Sequence, residues 1–292
     1  MNPSLSPIYS EDGFPHLVGH RGCYDVLENS IKGFQAALEL DIKIIELDIW
    51  LSKDDIPVVI HCCDETGCIS ETVTNGKGKV NEFLKEELIL FNIGQDQTLP
   101  TLEEVLKVIG KRAVIIIEFK EQSKKEKIVL ETIKVVRENS MENNVSFCSF
   151  SHDYYDILRR NKITNNFCFN IETQEEYLQA KNKSDSFNSS ICCREDFVNK
   201  DDIEVFHKRN QGVSVFLLPH RKGKIDSELL ETCADLKIDL LMCDYPQETR
   251  ELMKKVKQKR IDSFNESFST ENSSPKSDIK ALLNEDDYFL QN

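Results

Sequence analysis

The 292-residue chain predicts an α/β fold, an eight-round (β/α)8 barrel with a small insertion after its third strand. Three observations point there. Short runs rich in β-branched residues recur along the chain, and they are almost continuously apolar. That suits strands buried on both faces, because a half-solvated strand alternates. Helical patterns separate most of these runs, and alternating β and α elements build a parallel sheet. The runs number eight, which is the count that closes a barrel. An open, doubly wound sheet is the alternative arrangement.

In chain order, residues 1–14 form a polar lead-in. The strand-like runs follow at 16–20, 43–51, 56–61, 113–120, 144–150, 166–171, 212–219 and 238–244. Ile31, Phe34, Ala37 and Leu38 fall at helical spacing behind Asn29-Ser30. Thr101 to Glu104 forms a capping-box pattern ahead of Leu102, Val105, Leu106 and Ile109, with Gly110 as the stop. Ser123 to Glu126 reads as a second box, heading a helix to about Glu138. Further helices fit 152–160, 173–181, 200–210, 226–236 and 247–260. The barrel thus spans 15–260.

One connection breaks the rhythm. The insertion at about 62–100 holds only a short helical pattern near 82–90 and the turn signal Asn75-Gly76-Lys77-Gly78. An insertion following a strand projects from the C-terminal face of a barrel, where active sites lie. It reads as a lid or small subdomain. The acidic tail, 261–292, reads as disordered, with Asp278 to Leu290 either a frayed end or a docking helix.

Composition narrows the function. From Asp262 onward seven acids and two lysines carry −5 of the net −14. An acidic surface argues against nucleic acid and against anionic lipid surfaces as partners. No run is apolar and long enough to span a bilayer. The ten cysteines include Cys148, Cys168 and Cys243 inside strand-like runs, where cysteine acts as a small hydrophobe. With a polar N-terminus, 1–15, they read as reduced thiols of a cytoplasmic protein. No feature sets an oligomeric state.

The chemistry starts at Gly19-His20-Arg21-Gly22. Glycine lets backbone approach a ligand, and arginine offers a planar fork of donors that suits phosphate oxygens. Glu46 and Asp48 are two apart on one strand, so they point the same way, and two acids turned inward call for a divalent cation. Glu118 and Lys120 repeat that spacing. His61 closes the third run as His20 closes the first. Each residue alone has a plainer reading: a turn, a solvated edge, a surface ion pair, a structural histidine. Seven of them at the C-terminal ends of four successive runs is what those plainer readings do not explain.

Taken with Glu28-Asn29-Ser30, Pro57-Val58-Val59-Ile60-His61, Leu99-Pro100-Thr101-Leu102-Glu103-Glu104, Glu118-Phe119-Lys120 and the closing Cys243-Asp244-Tyr245-Pro246, these motifs resemble the glycerophosphodiester phosphodiesterase family over about 15–255. The resemblance implies a TIM barrel that uses Mg²⁺ or Ca²⁺ to hydrolyse glycerophosphodiesters to glycerol 3-phosphate and an alcohol. It implies Glu46, Asp48 and Glu118 as metal ligands, His20 and His61 as the acid/base pair, and Arg21 and Lys120 as phosphate clamps. It also implies that the insertion covers the substrate's glycerol. An all-oxygen set suits a hard cation. Two other readings stay open: lysophospholipase D activity on a lysophospholipid, and a barrel that binds phosphodiesters without cleaving them. The sequence departs from the family in two places. Cys62-Cys63 follows His61 where the family has aspartate, with Asp64 next. Val213 to His220 replaces a Trp- and Asn-bearing seventh strand, leaving Phe216 or His220 as substitutes. His61, Cys62, Cys63 and Cys68 also permit a soft-metal reading, though their spacing fits no zinc pattern.

Overall fold

The computed structural model describes residues 13–62, 67–69, 74–182, 188–217 and 222–270, without the side chains of Cys68 and of residues 266–270. The lead-in at 1–12, Cys63, Asp64, His220 and the stretch from Asp278 to Leu290 lie outside the described residues.

The strands are β1 His16–Gly19, β2 Ile44–Leu51, β3 Pro57–Val59, β4 Cys68–Ile69, β5 Gly78–Lys79, β6 Asn92–Gly94, β7 Gln97–Thr98, β8 Val114–Phe119, β9 Val145–Ser149, β10 Phe167–Ile171, β11 Ser189–Arg194, β12 Val213–Phe216 and β13 Leu240–Cys243. The helices are α1 Ile31–Glu39, α2 Lys85–Leu88, α3 Leu102–Ile109, α4 Lys125–Glu138, α5 Asp153–Arg160, α6 Gln174–Asn182, α7 Lys200–Lys208, α8 Ser227–Leu236 and α9 Pro246–Thr270. Eight strands run parallel in the order β1, β2, β8, β9, β10, β11, β12, β13, and β13 pairs back with β1 to close the barrel. The (β/α)8 expectation holds.

Its eight staves are not the eight runs the sequence suggested. The run at 56–61 is no stave. Its strand β3 lies antiparallel on the overhanging end of β2, Ile49 opposite Val59 and Leu51 opposite Pro57. The turn Ser52-Lys53-Asp54-Asp55 is far too short for a parallel crossover, which needs a dozen residues or more. The missing stave is β11. Its sequence, Ser189-Ser190-Ile191-Cys192-Cys193-Arg194, opens on two serines, ends on an arginine and carries little apolar signal, yet it pairs on both sides. Glu118 and Lys120 therefore belong to the third stave, and the insertion follows the third strand of the chain while lying between the second and third staves.

Two cores result. One lies between the barrel wall and its helices, built from side chains such as Phe34, Leu47, Ile117, Phe147 and Phe206. The other fills the barrel interior with Val18, Ile44, Ile116, Cys148, Cys168 and Cys192. Beneath that layer Ser146 and Ser190 donate to the Asn166 carboxamide oxygen at 3.2 and 2.9 Å, which satisfies buried polar groups at the barrel floor. The eight cysteines whose side chains are described are buried thiols. The insertion has its own small core, with Trp50, Val58, Ile60, Cys62, Ile69, Val80, Leu88 and Leu99 packed together.

The helix starts follow the sequence with one exception. Ser30 caps α1, and the Thr101–Glu104 box caps α3. At α4 the second box does not form: Ser123 turns back, and the Glu121 carboxylate accepts from the Ser123 amide and hydroxyl and the Lys124 amide. A buried acid two residues upstream outcompetes Glu126 for those donors. The last helix also passes the expected boundary at 260 and runs to Thr270. It buries Met253 and Val256 and then projects, so its outer turns look like a polar tail in sequence. Among the described residues no helix is long and apolar enough to cross a membrane.

Candidate active site

A cavity of about 720 Å³ opens at the C-terminal rim of the barrel, and His20, Arg21, Glu46, His61, Glu118 and Lys120 line it. Asp48 stands directly behind them, in register with Glu118. The structure thus brings together all seven residues singled out from the sequence.

Strand pairing sets the positions. Glu46 and Asp48 project inward from β2, and Glu118 projects inward from β8. The alternation that puts Ile44 and Ile116 into the barrel interior puts these acids one and two layers higher. All three are buried, Glu46 and Asp48 to 1% exposure and Glu118 to 7%. One oxygen from each lies within 4.8 Å of the others, and no other such group occurs among the described residues. Glu46 Oε1 accepts no hydrogen bond from them. Three buried, converging carboxylates with an orphaned oxygen fit a hard divalent cation, which takes oxygen ligands and removes their mutual repulsion.

The surrounding groups hold that cluster in place. The Asn29 amide donates to Asp48 Oδ2 at 2.8 Å. Arg21 Nε lies 3.2 Å from the same oxygen, Arg21 Nη1 donates to Glu28 at 2.9 Å, and the Arg21 backbone amide donates to Glu46 at 3.0 Å. Lys120 Nζ sits 2.6 Å from Glu118 and 3.2 Å from Asp48. Burial works against ionised Asp48, but Lys120, Arg21, His61 and the Asn29 amide outweigh it and hold that carboxyl far below the usual range. Burial and the neighbouring Asp48 push Glu46 the other way, to about 8, against the pull of His20 and Arg21. Burial also raises Glu118, with Asp48 adding and Lys120 opposing.

The two histidines are driven apart. Burial disfavours the His20 imidazolium, but the Asp244 carboxylate, bonded to Nδ1 at 2.5 Å, and Glu46, 4.0 Å from Nε2, more than offset it and raise its pKa. His61 has no such partner. Burial, reinforced by Arg21, Lys120 and His20, lowers it to about 4 against the pull of Asp48. The site therefore favours the proton on the His20 imidazole and disfavours it on His61. Two titratable groups pushed apart in this way form an acid and base pair.

Cys62 packs into the insertion core with Trp50 and Ile60, away from this site. Phe216 does line the cavity, where it meets Phe150 edge to face at 6.2 Å. Sequence reasoning missed Asp244 as a site residue, though it had quoted the segment. The sequence offers only an acid directly after β13; the pairing of Cys243 with Gly19 is what sets it level with His20. Sequence reasoning also missed Asn170, the penultimate residue of β10, and Phe150, which directly follows β9, both at the same rim.

Comparison with known proteins agrees with the geometry. Residues 20–248 match the glycerophosphoryl diester phosphodiesterase family. A glycerophosphodiester phosphodiesterase of Caldanaerobacter subterraneus is 36% identical over 151 residues, 47% of this chain and 58% of that protein. The chain spans about half the length of the curated relatives it matches. Among solved structures, an Oleispira antarctica phosphodiesterase in complex with the product sn-glycerol-3-phosphate aligns with a TM-score of 0.68 at 21% identity, over 82% of this chain and 97% of that one. A glycerophosphodiester phosphodiesterase from Agrobacterium tumefaciens aligns with a TM-score of 0.64 at 23% identity, over 80% and 97%. At those identities the structural matches speak to the fold. By sequence and fold together, the chain belongs to the glycerophosphoryl diester phosphodiesterase family.

Proposed function

We propose that this chain hydrolyses glycerophosphodiesters to glycerol 3-phosphate and an alcohol, with a divalent cation, Mg²⁺ or Ca²⁺, held by Glu46, Asp48 and Glu118. The observation that carries the reading is the gathering of three converging buried carboxylates, Arg21, Lys120 and two histidines whose proton affinities are shifted in opposite directions. The bound cation supplies positive charge to the phosphoryl oxygens. Arg21 and Lys120 add fixed positive charge on the same side. Lys120 Nζ lies within ion-pair distance of both Asp48 and Glu118 and lines the cavity, where its ammonium can also meet phosphate. His61, its pKa lowered to about 4, takes a proton from the attacking water, whose oxygen bonds to phosphorus. His20, whose imidazolium the Asp244 carboxylate favours, gives a proton to the oxygen of the departing alcohol. The phosphorus–oxygen bond to that alcohol breaks as the new one forms. The product bound by the Oleispira antarctica relative, sn-glycerol-3-phosphate, supports the same product here.

A lysophospholipid is the second substrate reading. It is favoured by an aromatic cavity mouth, where Tyr24 is 51% and Phe150 42% exposed. A non-catalytic barrel is disfavoured by the complete set of seven residues. The buried thiols fit a reducing compartment, and we place the protein in the cytoplasm.

The test is direct. Purified protein supplied with Mg²⁺ or Ca²⁺ releases glycerol 3-phosphate from glycerophosphocholine, and EDTA or His20→Ala abolishes release. Failure to cleave any glycerophosphodiester or lysophospholipid with either metal sinks the enzyme reading.

A further inference from the structure

We infer that Gly223 is a positioning residue for His20 and acts through Asp244. The inference rests on the phosphodiesterase reading above for its kinetic consequence, though not for its geometry. Gly223 lies in the loop after β12, next to Lys222, and both line the cavity. Its backbone has φ +75, in the left-handed region that favours glycine. The more telling fact is what lies in front of it. A Cβ on residue 223 would stand 3.0 Å from Asp244 Cγ and 3.1 Å from Asp244 Cβ, and closer still to Oδ2, where ordinary contact begins at 3.4 Å.

The Asp244 carboxylate is therefore clasped. One oxygen accepts from His20 Nδ1 at 2.5 Å, and the other rests against bare Gly223 backbone. The aspartate main chain has no room to yield. Its carbonyl accepts from the Tyr24 amide at 3.0 Å, the preceding Cys243 is paired to Gly19, and α9 begins two residues on. A side chain at 223 forces the carboxylate to rotate, and rotation takes Oδ1 off the imidazole. The ring then loses the bond that fixes its tautomer and aims Nε2 toward Glu46. A displacement of about 1 Å in a reacting group costs on the order of 100-fold in rate.

A double-mutant cycle separates this route from simple loop strain. The proteins are wild type, Gly223→Ala, Asp244→Ala and the double variant, assayed with Mg²⁺ on glycerophosphocholine. Gly223→Ala is expected to lower kcat on the order of 100-fold while KM and the melting temperature barely move. In the Asp244→Ala background the same substitution is expected to change kcat little, because the new methyl has no carboxylate to displace. An equal loss in both backgrounds assigns the effect to loop strain and overturns the inference, as does no loss in either. Wild type inactive on every substrate sinks the enzymatic reading instead. The His20 ring NMR then decides the geometry: the Nδ1–H resonance bonded to Asp244 must be present in wild type and lost in Gly223→Ala, and its persistence in the variant overturns the inference.

Discussion

His20 Nδ1 and the Asp244 carboxylate meet at 2.5 Å across the seam where the first and last barrel strands close. The residues are 224 positions apart, so closure of the barrel is itself what completes the pair. A carboxylate on one ring nitrogen fixes the tautomer and stabilises the imidazolium at the other.

That pair sets the pH response. His20 as proton donor is active below its pKa, which Asp244 and Glu46 raise, so activity falls as pH rises through that value. Asp244→Asn removes the raising charge. The expected outcome is an alkaline limb displaced to lower pH, with kcat reduced and KM little changed, read from a full pH–rate profile. An alkaline limb that stays in place rules out His20 as the group behind it.

The acidic cluster predicts coupled metal and proton binding. Glu46 titrates near 8, so below that pH it binds a proton that a cation must displace. Affinity for Mg²⁺ or Ca²⁺ is expected to rise from pH 6 to pH 8, by up to about tenfold per pH unit for one displaced proton. A cation that binds only the folded chain raises its melting temperature, so the shift on adding metal is expected to be larger at pH 8 than at pH 6. Glu46→Gln should weaken binding and flatten this pH dependence. Calorimetric titration in two buffers of different ionisation enthalpy counts the protons released.

Lys120 predicts a stability effect that metal reverses. Its ammonium lies between Asp48 and Glu118, and removing one partner from a buried ion pair costs about 3 kcal/mol or more. Lys120→Met is expected to lower the denaturant midpoint of the metal-free protein. A divalent cation restores much of that loss, because it supplies the charge the carboxylates have lost. Equal destabilisation with and without metal would mean that the lysine matters for packing instead of charge.

Most of the barrel was legible in the sequence because parallel staves buried on both faces leave apolar runs. Two features escaped for physical reasons. β11 carries serines where the barrel narrows to its polar floor at Asn166, so hydropathy does not mark it. β3 has the composition of a stave, and only the short turn at Ser52 to Asp55 betrays its antiparallel pairing. The site was legible where chemistry is concentrated in short motifs, as at His20-Arg21 and Glu46-Leu47-Asp48. It was not legible where a residue acquires its role through closure. Asp244 is an unremarkable strand-end acid until β13 meets β1, and Gly223 is an ordinary loop glycine until Asp244 is placed against it.

On the proposed phosphodiesterase reading, the cavity mouth predicts a preference between a bare headgroup and a lipid. Phe150 directly follows β9, is 42% exposed, and holds its ring 5.6 Å from Lys120 Nζ and edge to face with Phe216. A phosphodiester bound at Lys120 would bring whatever it carries on that side against this ring. Covering an exposed phenylalanine with an aliphatic chain is worth about 1.5 kcal/mol or more, or roughly tenfold in binding. Phe150→Ala is therefore expected to lower kcat/KM for lysophosphatidylcholine by about tenfold, and to change that for glycerophosphocholine much less, because choline has no chain to lay across the ring. The ratio of the two kcat/KM values, measured below the critical micelle concentration, is the readout. An unchanged ratio would show that the aromatic mouth does not read the chain and would favour the soluble glycerophosphodiester as substrate.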